Sequence, residues 1–203
     1  MNRSRALLYA GIAALALAGS VVQAQTRMFV RGTVTSLEGN LLSVKSRDGK
    51  DLKINLAPNF GVRAAKAITL ADIKVGDLVG PASMKRADGT LVAISLQLFP
   101  EALRGRIPEG HMAWDLEPGS MMTNATVAGI VQVTDGRELT LEYKGGPQKI
   151  VVPEGIPMFT TVAGERSLLV PGAYVVVSTQ VAADGTMSAA GVSVSKDGVR
   201  PAN

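Results

Sequence analysis

Soft-ion chemistry has one address in this sequence, the stretch holding His111, Met112 and Trp114 and, a little further on, Met121-Met122. One imidazole, three thioethers and an indole suit Cu(I) or Ag(I), which hard oxygen donors hold poorly, and an indole face can add a cation–π contact. His111, Met112 and Met122 are therefore the candidate metal ligands, with Trp114 as the candidate cation–π partner. The competing reading gives the same residues a packing role. Trp114 and the methionines then fill the space between two halves of the protein, and His111 bonds to the backbone.

Other chemistries find less support. His111 is the only histidine, so a serine nucleophile has one possible base, and Gly119-Ser120 lacks the flanks of a nucleophile elbow. No glycine-rich phosphate loop follows a strand pattern. Asp115, Glu117 and Glu109 form carboxylate pairs, but on a loop they read as a solvated face. Asn124-Ala125-Thr126 fits a glycosylation sequon that is accidental in a bacterial exported protein. The sequence has no cysteine, which excludes disulfides, thiolate metal sites and thiol nucleophiles. No enzyme activity is expected, and no cofactor is indicated.

The elements that must position the candidate residues follow from composition and pattern. Aromatics make up 4% of the 203 residues and there are 22 glycines, a balance that favours short strands and tight turns. Residues 1–24 read as a signal peptide: Arg3 and Arg5 precede an apolar run from Ala6 to Val22, and Val22-Gln23-Ala24 is a small-residue cleavage site. That run is shorter than the roughly 20 residues of a spanning helix, and no later stretch approaches that length, so no transmembrane span is expected in the mature protein. Once Arg3 and Arg5 leave, 19 basic residues face 17 acidic ones and the formal charge falls from +4 to +2. Nucleic acid is not an expected partner, since the aromatics Phe60, Tyr143, Phe159 and Tyr174 are scattered and no basic groove is indicated.

Two halves repeat one plan. In the first, Val30–Val34, Leu41–Lys45 and the alternating Leu52, Ile54, Leu56 read as three strands separated by turns at Glu38-Gly39-Asn40 and Asp48-Gly49. A short capped turn at Thr69–Asp72 precedes strands at Leu78–Met84 and Val92–Leu98. In the second half Gly129-Ile130-Val131 answers Gly32-Thr33-Val34, at an offset of 97, and Asp184-Gly185-Thr186 answers Asp88-Gly89-Thr90, at 96. The expected fold is all-β: two tandem OB-like five-stranded β-barrel repeats, residues 28–99 and 128–196, joined by an irregular connector, 100–127, with a frayed tail at 197–203. Each half should bury its own set: Val34, Leu42, Val44, Leu52, Ile54, Ile94 and Leu96 in one, and Val131, Leu139, Leu141, Val151 and Val192 in the other. Phe99, Ile107, Trp114 and Leu116 should hold the connector against the barrels.

The motifs Gly32 to Val34, Gly76-Asp77-Leu78-Val79 and Asp88 to Ala93 resemble a family of exported bacterial domains of unknown function. The second copy departs from that pattern, with Ala173 and Met187 at two of its positions. The connector resembles alphaproteobacterial proteins often labelled as metal transporter permeases, a label at odds with the hydropathy. The His, Met and Trp set is similar in kind to that of periplasmic copper- and silver-binding chaperones, small OB barrels whose ligands lie on strands. These resemblances imply a periplasmic, non-enzymatic binding or accessory protein whose partner is an envelope protein or a small ligand. The alternatives are soft-metal handling and a structural interaction module of the envelope, the last implying an exposed apolar face or sheet edge.

Overall fold

The computed structural model describes residues 26–134 and 136–202. The leader assigned to residues 1–24 lies outside the described residues, as do Asp135 and Asn203. The chain is all-β. Its strands are β1 (Thr26–Glu38), β2 (Leu41–Ser46), β3 (Asp51–Ala67), β4 (Leu78–Lys85), β5 (Leu91–Leu98), β6 (Gly110–Ala113), β7 (Met121–Val133), β8 (Gly136–Tyr143), β9 (Gly146–Pro153), β10 (Met158–Ala163), β11 (Tyr174–Val181) and β12 (Met187–Val194). Three short 3-10 turns, Leu70–Asp72, Glu101–Leu103 and Arg166–Leu168, sit between strands. Among the described residues no helix is long and apolar enough to cross a membrane.

The strands do not close by halves. β1, β2 and β3 join β12 and β11 in a closed five-stranded barrel, because β12 pairs with both β11 and β3. β7, β8 and β9 meet β5 and β4 in the same cyclic order, with Val92 beside Val151 as the closing pair. Each ring thus takes three strands from one half of the sequence and two from the other. The expectation of two barrels in tandem, each closed by residues 28–99 or 128–196 alone, is corrected by these pairings. The path of β3 fits this, since its 17 residues pair with β12 in the first ring and at their end with β10 of the other half. At about 3.3 Å per residue it carries the chain roughly 55 Å, past the end of its own ring, and delivers β4 to the other ring.

The exchange is symmetric. Ser188 beside Asn55 in the first ring corresponds to Val92 beside Val151 in the second, each residue answering one 96 positions away. Val192 beside Val62 corresponds in the same way to Leu96 beside Met158. The cores follow the rings. Val34, Leu42, Val44 and Ile54 pack with Val175, Val192 and Val194, and Leu139, Leu141 and Ile150 pack with Val79, Ala93 and Leu96. Ile73 and Leu169, at the ends of equivalent 3-10 turns, are buried in the second and first cores respectively.

Four expected positions fall short of full burial, Leu52 being half-buried though still packed against the first core. Val131 is 56% exposed because the offset of 97 does not hold in its strand. Val127, not Val131, stands where Val34 does: Val34 pairs with Val44 and Val127 with Leu141, each just before a bulge. The extra residue at the bulge, Ala128, shifts the alternation, so Ile130 packs against the second core and Val131 turns outward. Val151 and Ile94 are half-buried, Val151 because Ile150 and Val152 face inward on its strand and Ile94 because the β4–β5 register skips it. The described part of the tail lies against the first barrel. Lys196 and Val199 bridge, Arg200 lies over the Tyr174 ring at 5.2 Å, and Pro201 is buried.

Candidate functional site

The connector becomes two parts with different tasks. Its first part holds a turn, Glu101–Leu103, and then β6, which pairs antiparallel with β7. Arg104 anchors this part: its guanidinium takes the Glu101 carboxylate at 2.6 Å and donates to the Gly76 carbonyl at 2.7 Å. Glu101 is held below its ordinary 4.5, chiefly by the hydrogen bond from Arg104. Its second part, Trp114 to Ser120, folds back on itself, with the Ser120 hydroxyl donating towards the Trp114 and Glu117 carbonyls and accepting from the Glu117 N–H.

That second part lands on β1. The Trp114 and Phe29 rings meet at 4.8 Å between centroids with a 58° tilt. The Arg31 guanidinium lies 5.5 Å from the Trp114 ring centre and 5.6 Å from that of Phe29, and its Nη1 reaches Asp115 at 2.8 Å. Arg31 points out of its barrel yet is only 4% exposed, because the connector and the tail cover it. Its Nε donates to the Ala202 carbonyl at 3.4 Å. Arg47 completes the clamp by donating to the carbonyls of Leu116 and Asp115 at 2.6 and 3.1 Å. Beside this corner is a recess of about 430 Å³, lined by Arg27, Met28, Phe29, Ala113, Trp114 and Asp115.

The structure divides the four residues singled out in the sequence. Met112 and Met122 are direct cross-strand partners, one 36% exposed and the other 2%. Strand alternation turns His111 to the opposite face, where its Nδ1 lies 2.8 Å from the hydroxyl of the buried Thr123. The imidazole therefore does not join the two thioethers on their face of the sheet. Trp114 stands apart from both on the first barrel, where the Arg31 guanidinium already lies over its ring.

Sequence reasoning missed Arg31, Phe29 and Arg47. Arg31 lies in the Val30–Val34 pattern, which reads as ordinary barrel wall, Phe29 just precedes it, and Arg47 sits in a turn. The one available signal was a charged and an aromatic side chain on the same outward face of β1, two residues apart. Compared with protein-family models, curated proteins and solved structures, the chain finds no match.

Proposed function

We propose that this chain is a non-enzymatic binding or accessory protein of the bacterial envelope, exported by residues 1–24 and built on two OB-like rings with exchanged strands. The cyclic order, in which the fifth strand of one half closes on the third of the other, supports the OB-like assignment. The leader pattern supports export to the periplasm. The observation that carries the binding reading is the Phe29–Trp114 corner, an aromatic pair with a stacked arginine beside an open recess. Such a surface holds a ligand through contact area and shape. The hydrogen bond of His111 to a buried threonine supports a structural task for the only imidazole.

Cell fractionation should recover the chain in the periplasm without residues 1–24. Esterase, phosphatase, glycosidase and protease substrates should give no turnover that His111→Ala removes. Turnover lost in that variant would make the protein an enzyme and overturn the reading.

Soft-metal handling is the second reading, favoured by the placement of Met112 opposite Met122. Two facing thioethers are a start for Cu(I) or Ag(I). Titration with Cu(I) should then show binding tighter than micromolar that a Met112→Leu, Met122→Leu double change abolishes and His111→Ala leaves intact. Weaker binding, or binding untouched by the double change, leaves these methionines a packing role alone.

A further inference from the structure

The two rings differ at one edge. In the second ring the start of β7 is flanked on both sides, since Met122 pairs with Ala82 of β4 and with Met112 of β6. In the first ring Phe29 stands in the place of Met122, beside Ser178 of β11 as Met122 is beside Ala82. Its other side carries no strand among the described residues. The backbone there is aimed outward. The Arg31 carbonyl accepts from the Arg47 N–H at 2.8 Å on the β2 side, and alternation turns the N–H and C=O of Phe29 and Arg27 the same way, beyond the end of β2.

We propose that this edge of β1 docks an extended segment of a partner protein, which adds to the first ring the short strand that β6 supplies to the second. The proposal rests on the binding reading above and names the class of partner. Backbone hydrogen bonds to Arg27 and Phe29 would supply affinity, and alternate side chains would meet the two recesses beside the edge. A residue opposite Phe29 meets the recess formed with Trp114 and Ala113, which calls for an apolar or aromatic side chain. Its neighbour in the segment points to the other face, towards Met28 and Val30, beside a cavity of about 340 Å³ that runs along the edge from Leu52 and Met187 to Phe29 and Asp115. Four residues suffice, the length of β6.

A second copy of this chain fits less well than a partner. Antiparallel self-pairing centred on Phe29 would set Arg27 opposite Arg31, and like charges directly across a ladder destabilise it. The strand that fills the equivalent edge, Gly110–Ala113, carries no such charge.

Phage-displayed random dodecapeptides selected on the exported protein test this. Enriched peptides should share an apolar residue followed by a second selected position, and on binding should slow hydrogen exchange at the Arg27 and Phe29 amides. Arg27→Pro removes one outward N–H while sparing the β11 side, so it should weaken those peptides at least tenfold with the fold retained by circular dichroism. No enrichment, protection elsewhere, or unchanged affinity in Arg27→Pro would overturn the β1 edge. A concentration-dependent dimer protecting the same two amides would overturn it in favour of self-association. Peptides that protect another surface would leave the broader binding reading standing, whereas His111-dependent turnover would remove that reading without touching the edge.

Discussion

Ala65 on β3 pairs with Thr161 on β10, and these two residues hold the same place in the two halves of the chain. The pairs around them run symmetrically outward, from Ala67 with Phe159 at one end to Arg63 with Ala163 at the other. A local two-fold axis therefore passes through this ladder. It is where the two copies of the plan meet and where each passes its fourth and fifth strands to the other's ring.

The connector should matter to stability through Trp114. Removing its ring takes away the Phe29 contact and uncovers the buried Arg31 guanidinium. Trp114→Ala should cost about 2 kcal/mol in urea unfolding, less than a fully buried tryptophan because its ring is half-buried. Asp115→Ala should cost only about 1 kcal/mol, since its carboxylate is 53% exposed and solvent screens the pair. Equal stability of wild type and Trp114→Ala would mean the loop merely rests on β1.

Gly32 is required where β1 crosses β2, because a Cβ there would stand 2.8 Å from the Ser46 Cα and run into the Lys45 carbonyl. Backbone atoms cannot give way cheaply. Gly32→Ala should lose about 3 kcal/mol, while Gly61→Ala, whose Cβ would meet open space, should stay within about 0.5 kcal/mol of wild type. Thermal melts of the two variants decide it, and a similar melting temperature for both would contradict the packing of β1 on β2.

Acid should loosen both rings through equivalent turns. Asp88 accepts from the Thr90 N–H and Asp184 from the Thr186 N–H, both at 2.9 Å, and these backbone bonds hold each carboxylate below its ordinary 3.8. Asp72 is lowered too, first by the backbone N–H of Thr69 and then by its hydroxyl. With folded values below unfolded ones, the stabilisation is complete above the ordinary value and is lost as pH falls through the folded values. Unfolding followed from pH 6 to pH 2 should show that loss, and Asp88→Asn with Asp184→Asn should flatten it. An unchanged acid slope in the double variant would assign the loss to other groups.

Most strands, the turns and most inward-facing residues were legible because period-two alternation and glycine turns are local signals, but β6, β10 and the run of β3 past Pro58 were not. Val34, Leu42, Leu139 and Leu141 are buried as their patterns require. The partner of each strand was not legible, since the alternation of Leu96 or Val192 is the same whichever ring it closes. The bulge that moves Val131 outward was equally hidden, as it shows only in the pairing with β8. At the site, spacing in a loop placed His111 beside Met112, but a strand there sends adjacent residues to opposite faces. Arg31 escaped notice because its value as a clamp depends on Trp114, distant in sequence.

The exchange of strands can be read directly from one residue. Thr33 lies opposite Tyr174 on β11, whereas a barrel closed by its own half would place it opposite Leu78, the equivalent residue of β4. Nuclear Overhauser contacts in isotope-labelled protein distinguish the two. Cross-strand contacts from Thr33 to Tyr174 and from Val30 to Val177, with Leu78 instead contacting Thr126, are the expected result. Contacts from Thr33 to Leu78 and from Val30 to Pro81 would contradict the exchanged architecture.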